Sequence, residues 1–111
     1  MNHVIYTYGT LRPGKIADVL KIKGALYDLG SFPAIRLHDL HQTDVIVEPI
    51  IVSDEELSAI DNYEGYFPDD IKNSLYIRCK FLDGWIYVFN RSLDGYPRIE
   101  CGDWLAYKAN P

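Results

Sequence analysis

One carboxylate of the chain falls on the apolar side of a helix instead of facing water. Leu57, Ile60 and Glu64 recur at the spacing that places residues on one helix face. Partial burial and the negative end of the helix dipole both disfavour a charged carboxylate there, so we expect the pKa of Glu64 to be raised toward the range of a general base. The alternative is that the helix frays at this end and leaves Glu64 solvated.

A glycine-rich turn near the N-terminus is the second feature that suits chemistry. Residues 6–14 read Tyr-Thr-Tyr-Gly-Thr-Leu-Arg-Pro-Gly and separate a β-prone run from a segment that favours helix. Gly9 and Gly14 permit a positive φ or a close approach to a ligand, whereas Pro13 lacks an amide hydrogen. The remaining amides can converge on one carboxylate or developing oxyanion. We therefore interpret the turn as an anion-binding loop.

The same turn comes within one residue of the phosphate-binding loop Gly-x4-Gly-Lys-Ser/Thr. The pattern fails at Ile16, where such loops supply a hydroxyl for magnesium. The chain is also rich in strand signals and lacks the alternating βαβ pattern of nucleotide-binding folds. Nucleotide binding is therefore disfavoured, and we expect no cofactor.

The other reactive side chains give weaker signals. His38 and His41 are three residues apart and close to Asp39 and Asp44, but no cysteine or helix accompanies them, which favours a solvated loop over a metal site. Cys79 falls on the apolar face of a strand, which favours a core position over a nucleophile.

Tyrosine and arginine side chains leave two alternatives open. Tyr8 either lines a pocket or packs in the core. Tyr76 and Arg78 either reach a ligand or form the wet face of a sheet. The residues alone do not decide between these positions.

Composition excludes several classes of function. A chain of 111 residues forms one domain, residues 1–111, around a single core. Eleven Lys and Arg against sixteen Asp and Glu give a formal charge of −5 with no basic cluster, so nucleic acid is not an expected partner. We find neither a leader peptide nor an apolar stretch of membrane-spanning length, which predicts a cytoplasmic protein with Cys79 and Cys101 unpaired.

The elements that position these residues follow from periodicity and turn signals. Ser53 and Glu56 form a capping box that begins the main helix, and Gly65 ends it. Asp83-Gly84 predicts a hairpin and Asp94-Gly95 a second turn. The predicted strands are residues 3–8, 25–29, 32–37, 44–52, 75–81, 85–89 and 102–107, with a helical turn at 15–21.

Pro49 lies inside one of these runs and predicts an edge position or a bulge there. Many short strands with one good helix predict an α+β fold with a mostly antiparallel, strongly curved sheet.

Several motifs together carry a resemblance to a known family. They keep the family's order and compatible spacing over nearly the whole chain. They are Tyr8-Gly9-Thr10-Leu11-Arg12-x-Gly14, Gly24-x-Leu26-Tyr27-Asp28-Leu29-Gly30-x-Phe32-Pro33-Ala34, Leu57-x-x-Ile60-Asp61-x-x-Glu64-Gly65-Tyr66, Tyr76-x-Arg78 and Gly102-Asp103-Trp104. In these motifs the chain resembles the γ-glutamylcyclotransferase-like family, which includes γ-glutamylamine cyclotransferases and the AIG2-like proteins.

The resemblance implies a small mixed fold on a curved, barrel-like sheet and a reaction on a small-molecule γ-glutamyl substrate. The substrate's own α-amine attacks its δ-carbonyl, which yields 5-oxoproline and releases an amine. Glu64 occupies the position of the family's catalytic glutamate. Tyr8, Gly9, Thr10 and Leu11 occupy its substrate-binding loop, and Tyr76 falls in a further motif that we assign to substrate binding. No metal is implied.

Two departures from the family pattern concern the surroundings of the pocket. Related sequences often carry Gly-Glu before the catalytic helix, where this chain has Val47-Glu48-Pro49. The segment after Gly14 is short and lacks the polar residues frequent in relatives. The alternative function is a non-catalytic binding or regulatory protein that keeps the pocket for a small carboxylate ligand.

Overall fold

The computed structural model describes residues 1–109, which contain six strands and two α-helices. The helices are α1 (Asp54–Tyr63) and α2 (Trp104–Ala109), and short 3-10 helices cover Ile16–Asp18 and Ile71–Asn73. The strands are β1 (Asn2–Thr7), β2 (Leu20–Asp28), β3 (Pro33–Arg36), β4 (Thr43–Ser53), β5 (Tyr76–Phe81) and β6 (Gly84–Phe89).

The strands form one curled sheet in the order β3-β2-β4-β1-β6-β5. Among the strand pairs of residues 1–109, β1 with β6 is the one parallel pair. The long strand β4 changes partner midway, pairing with β2 over residues 43–47 and with β1 over residues 48–53. β3 contacts β6, so the curled sheet approaches closure. The predicted α+β fold with a curved, mostly antiparallel sheet and one main helix is confirmed.

Pro49 lies in the half of β4 that pairs with β1 alone. Its missing amide hydrogen therefore leaves no ladder bond unmade on the other side, because β2 begins at Leu20, opposite Val47, and does not extend alongside Pro49. The edge strand predicted from this proline is wrong, because β4 lies between β2 and β1 in the sheet, although Pro49 itself lies where β4 is paired on one side alone.

The central strand β1 is buried on both faces. Ile5 points into one apolar cluster with Leu57 and Tyr76, whereas Tyr6 and Tyr8 point into the other with Trp104. This burial accounts for the β-branched and aromatic composition of the strand, since both faces require apolar contacts. It also places the residues that follow β1 at the middle of the fold.

Helix α1 has the ends that its sequence predicts. The Ser53 hydroxyl accepts from the Glu56 amide, and the Glu56 carboxylate accepts from the Ser53 amide. At the other end Gly65 takes a left-handed φ of 69°. Its amide donates to the Asn62 carbonyl and the Tyr66 amide to the Asp61 carbonyl, the two bonds of a Schellman motif. Glu64 is therefore the C-cap residue, directly after the last helical residue, Tyr63.

Two predictions for short segments are wrong. The strand expected over residues 102–107 is replaced by α2, because the Asp103 carboxylate accepts from the Ala106 amide and caps a helix, while Trp104 is buried. The helical turn expected over residues 15–21 is limited to the 3-10 helix Ile16–Asp18, since Leu20 and Lys21 already pair with β4.

The predicted β5–β6 hairpin forms, but its turn is displaced by one residue. Phe81 pairs with Gly84, so Leu82 and Asp83 form the turn, and Leu82 takes the positive φ of 51°. Gly84 is required for a different reason. A Cβ at this position would lie 2.2 Å from the Val4 carbonyl oxygen of the neighbouring strand β1.

Cys79 is half-buried against the apolar core and Cys101 is exposed, and both are free thiols. No helix within residues 1–109 is long and apolar enough to cross a membrane.

Candidate active site

A cavity of about 230 Å³ opens where β1 ends and α1 ends. It is lined by residues 5–11, by Phe32 and Pro33 before and at the start of β3, by the end of α1, and by residues of β5 and β6. Its size lies just below the range of drug-sized ligand sites, about 300–1,000 Å³. This lining includes all the residues that the family resemblance assigned to catalysis or substrate binding, Tyr8, Gly9, Thr10, Leu11, Glu64 and Tyr76.

The Glu64 carboxylate is half-buried at the end of α1 and lines the cavity. Burial raises its pKa to about 7, which confirms the direction expected from the sequence. The pKa values of Tyr8 and Tyr76 are also raised, mainly by burial and additionally by the charge of Glu64. Glu64 is therefore a carboxylate that exchanges its proton near neutral pH inside an aromatic enclosure.

An ion pair anchors the end of α1 to the sheet. The Asp61 carboxylate accepts from Arg78 Nε at 2.8 Å and from the Tyr87 hydroxyl at 2.6 Å. The Arg78 guanidinium in turn lies over the Trp85 ring, 4.2 Å from its centroid. Arg78 does not line the cavity. The Arg78 side chain is 15% exposed, so it anchors the end of α1 through Asp61 and does not form a wet face of the sheet.

The hydroxyl groups of two lining tyrosines are engaged by the protein itself. Tyr76 donates to the Pro33 carbonyl at 2.7 Å, and Tyr8 donates to the Tyr87 carbonyl at 2.5 Å. Tyr76 therefore lies in the core rather than on the wet face of its strand. Both residues present ring surface to the cavity, with orientations set by these hydrogen bonds.

We call the loop after β1, residues 8–15, the cavity loop, and its front half is residues 8–11. Two amide groups of this front half have no hydrogen-bond acceptor among the described residues. The Arg12 amide donates to the Gly9 carbonyl at 3.0 Å and closes a tight turn. Within residues 1–109, the Thr10 and Leu11 amides donate to no acceptor. Gly9 does not adopt a positive φ; a Cβ there would instead lie 2.6 Å from Pro33 Cγ. Gly9 is therefore required because its backbone lies close to the Pro33 ring, whereas the positive φ occurs at Gly14.

The rear half of the loop already holds an anion, the chain's own Glu48. The Gly14 amide donates to Glu48 Oε1 at 3.0 Å, and the Lys15 amide donates to Oε2 at 2.8 Å. Arg12 Nε also donates to Oε1 at 2.8 Å, and the two side chains are 5% and 1% exposed. The anion-binding interpretation of residues 6–14 is therefore corrected, because only the front half faces the cavity.

Glu48 is held ionised although it is buried. Burial alone raises the pKa of this carboxyl, but the hydrogen bonds from Arg12 and from the Lys15 and Gly14 amides outweigh it and hold the pKa below its usual value. Sequence reasoning gave Glu48 no structural role. The available signal was a charged residue inside the apolar run of β4, which is costly unless it is paired.

Arg12 also joins the loop to the C-terminal helix. Its Nη1 donates to Asp103 Oδ1 at 2.8 Å, and the same oxygen accepts from the Ala106 amide at the start of α2. The loop, β4 and α2 are thereby connected through one guanidinium. This network gives a physical reason for the Arg12 and Asp103 positions in the recognised motifs.

The two histidines considered for a metal site are exposed in the loop between β3 and β4. Asp39 beside them accepts from the Tyr27 hydroxyl and from the His41 amide, so its carboxylate stabilises the loop. Among residues 1–109, no group of three or more His, Cys, Asp or Glu side chains is arranged to hold a metal ion.

Comparison with known proteins assigns this architecture to a family. The model of the family described as "Gamma-glutamyl cyclotransferase, AIG2-like" matches residues 5–106. The chain belongs to this family. The match runs from β1 into α2, so it includes the cavity loop, the end of α1 and the Arg12–Asp103 network.

Two relatives cover nearly all of the chain. A Vibrio cholerae serotype O1 protein named "Putative gamma-glutamylcyclotransferase" is 30% identical over an alignment of 116 positions, gaps included, and the alignment covers 94% of this chain and 96% of the relative. The solution NMR structure of protein ytfP from Escherichia coli has a TM-score of 0.59 at 22% identity, covering 95% of this chain and 98% of that one. The latter shows that the two chains share the fold.

Proposed function

We propose that this chain cyclises γ-glutamyl groups to 5-oxoproline and releases the attached amine. Family membership and the named relative support a γ-glutamylcyclotransferase-like function. The observation that carries the specific reaction is Glu64, a carboxylate with a pKa of about 7 that lines the same small cavity as the unpaired amides of Thr10 and Leu11.

Glu64 moves the proton in this scheme. An α-ammonium group is not a nucleophile, so the ionised carboxylate first accepts a proton from it. The neutral amine then attacks the δ-carbonyl and forms the ring C–N bond. As the tetrahedral intermediate collapses, the protonated Glu64 returns the proton to the leaving nitrogen, and the original amide C–N bond breaks. The ring nitrogen gives up its second proton through the same carboxylate, and the released amine takes this proton and departs as an ammonium ion. A group with a pKa near the working pH performs these transfers efficiently.

The loop holds the glutamyl unit in the cyclising conformation. Residues 8–11 line the cavity beside Glu64, and their amide groups suit a carboxylate or the oxyanion of the intermediate. The rings of Tyr8 and Tyr76 form walls that exclude water and favour a folded substrate. These walls are rigid because both hydroxyls are hydrogen-bonded to backbone carbonyls.

The test is formation of 5-oxoproline from a panel of γ-glutamyl amines, γ-glutamyl amino acids and glutathione. Glu64→Gln should keep the fold and ligand affinity but lose turnover by orders of magnitude, because the proposed acid/base group is removed. Glu55→Gln, on the exposed first turn of the same helix, is the matched control and should keep full activity. Turnover of Glu64→Gln within a few-fold of the parent would contradict the assignment.

A silent panel with a well-folded protein would instead favour the non-catalytic alternative. In that case a small carboxylate should still bind in the cavity, as measured by calorimetry. The parent and Glu64→Gln would then differ only in affinity.

A further inference from the structure

Tyr87 is hydrogen-bonded to both halves of the candidate site. It belongs to β6, its side chain lines the cavity, and it is 3% exposed. Its hydroxyl donates at 2.6 Å to Asp61 Oδ1, three residues before Glu64. Its backbone carbonyl accepts from the Tyr8 hydroxyl at 2.5 Å. One residue of the sheet therefore connects the end of α1 to the first residue of the cavity loop.

The Glu64 carboxylate is not fixed by polar contacts of its own. Among residues 1–109 it takes part in no hydrogen bond or ion pair. Its position depends on the backbone at the end of α1, where the Glu64 amide donates to the Ile60 carbonyl at 2.8 Å. Residues three apart are neighbours on one helix face, so Asp61 and Glu64 are directed toward the sheet together. A contact that holds Asp61 therefore also sets the position of Glu64.

Asp61 links the last turn of α1 to the sheet through its side chain. Within the described residues, the side chains of Asn62 and Tyr63 form no hydrogen bond. Arg78 Nε donates at 2.8 Å to the same Asp61 oxygen as Tyr87, and it compensates the charge of this carboxylate, which is 14% exposed. Burial and the bond to Asp61 raise the pKa of Tyr87, so its hydroxyl keeps its proton and remains the donor.

We propose that Tyr87 and Asp61 are positioning residues of the reaction, and that the hydrogen bond between them holds the Glu64 carboxylate at a fixed distance from the cavity loop. The inference rests on the proposed function, because it concerns the acid/base group of that reaction. Ring closure needs the reacting groups in narrow alignment, and a displacement of about 1 Å can cost roughly 100-fold in rate. Neither residue takes or gives a proton in the reaction, since both act through Glu64.

Tyr87→Phe removes the hydroxyl and keeps the ring that lines the cavity. The backbone carbonyl that accepts from Tyr8 is also kept, so the cavity loop should still bind the glutamyl unit. We expect kcat for 5-oxoproline formation to fall by roughly 10- to 100-fold and KM to change by less than about threefold. A loss confined to KM, or no loss at all, would overturn the inference.

Tyr107→Phe is the matched control for the loss of a tyrosine hydroxyl. Tyr107 also donates to a carboxylate, that of Asp28, at 2.7 Å, but it lies on α2 and outside the cavity lining. This variant should leave kcat and KM unchanged. If it loses as much kcat as Tyr87→Phe, the effect is not specific to the bond with Asp61, and the inference is wrong.

Variants of Asp61 separate the hydrogen bond from the charge. Asp61→Asn keeps the Oδ1 atom that accepts from Tyr87, whereas Asp61→Ala removes it. Both variants leave Arg78 without a counter-charge, so their difference reports the acceptor alone. We expect kcat to fall less in Asp61→Asn than in Asp61→Ala, and Tyr87→Phe should lower kcat no further in the Asp61→Ala background. Equal losses in the two single variants, or independent losses in the double variant, would contradict the inference.

The titration of Glu64 tests its position without turnover. If the end of α1 moves away from the cavity loop, the carboxylate becomes more solvated, and its pKa should fall from about 7 toward its ordinary value of 4.5. Carbon NMR of the Glu64 carboxyl group should therefore give a lower midpoint in Tyr87→Phe than in the parent and in Tyr107→Phe.

This titration also separates the inference from the reaction. If the parent forms no 5-oxoproline from any γ-glutamyl compound, the proposed reaction is refuted, while the midpoints still decide whether Tyr87 positions Glu64. The same midpoint in all three proteins would overturn the inference.

Discussion

Arg12 donates from Nε to the Glu48 carboxylate over 2.8 Å, and both side chains are almost completely buried. The pair connects the cavity loop to β4 over a sequence separation of 36 residues. Removing one partner of a buried pair leaves the other charge without compensation. The geometry of the loop therefore depends on a residue outside the cavity lining.

Glu48→Gln should lower the free energy of unfolding by about 3–5 kcal/mol, as for other broken buried pairs. Because the loop is loosened while Glu64 is untouched, KM for a γ-glutamyl substrate should rise more than kcat falls. Denaturant titration and steady-state kinetics measure the two effects. Asp44→Asn, which breaks the exposed Lys23–Asp44 pair, is the control and should have little effect on either.

Glu48 should also contribute to acid sensitivity. Its pKa is held below the usual value in the folded state, so its stabilising contribution is present above the unfolded pKa and is lost as pH falls through the folded pKa. Stability measured against pH should therefore decline less steeply in acid for Glu48→Gln. Parallel curves for parent and variant would contradict the role given to this carboxylate.

The pH dependence of turnover should follow Glu64. Because burial raises its pKa to about 7, the carboxylate is protonated and unable to accept a proton below that pH. We expect kcat/KM to fall about tenfold per pH unit below pH 7 and to level off above it. A profile that is flat between pH 5 and pH 8 would refute Glu64 as the base.

The same carboxylate should make the fold less stable at higher pH. At pH values below 4.5, its ordinary pKa, Glu64 is protonated in both states. As pH rises toward 7 the unfolded chain ionises first, so stability falls, and the loss is complete above the folded pKa. Relative to the parent, Glu64→Gln should gain about 1–3 kcal/mol between pH 4.5 and pH 8 in denaturant titrations. If the difference in free energy of unfolding between Glu64→Gln and the parent stays constant over this pH range, the pKa of Glu64 in the folded state is not raised.

The contact of Gly9 with Pro33 is tested by a double-mutant cycle. A Cβ on Gly9 would lie 2.6 Å from Pro33 Cγ, so Gly9→Ala should displace the loop and destabilise the fold by about 1–3 kcal/mol. It should also weaken ligand affinity. Pro33→Ala removes the clashing ring, and the double variant should be less destabilised than the sum of the single ones. Additive losses in denaturant titration would show that the ring is not the obstacle.

The sequence by itself determined the features that depend on near neighbours. The capping box of Ser53 and Glu56, the helix stop at Gly65 and the inward face that carries Glu64 all involve residues within one or two turns of each other. Such local geometry follows from residue type and spacing, so these predictions are confirmed. The segment 102–107 is a helix and not the predicted strand, because a short apolar run does not distinguish the two and the Asp103 carboxylate caps the helix by accepting from the Ala106 amide.

Only the tertiary structure decided which amides of the loop after β1 are left without an acceptor among residues 1–109. Glu48 takes the amides of Gly14 and Lys15 from 34 and 33 residues away, and this leaves Thr10 and Leu11 facing the cavity. The tertiary structure also decided the hydrogen-bond partners of two tyrosine hydroxyls. Tyr8 and Tyr76 each donate to a backbone carbonyl of a distant residue. A sequence shows which groups can form hydrogen bonds, but the pairing of distant groups depends on how a curled sheet brings its strands together.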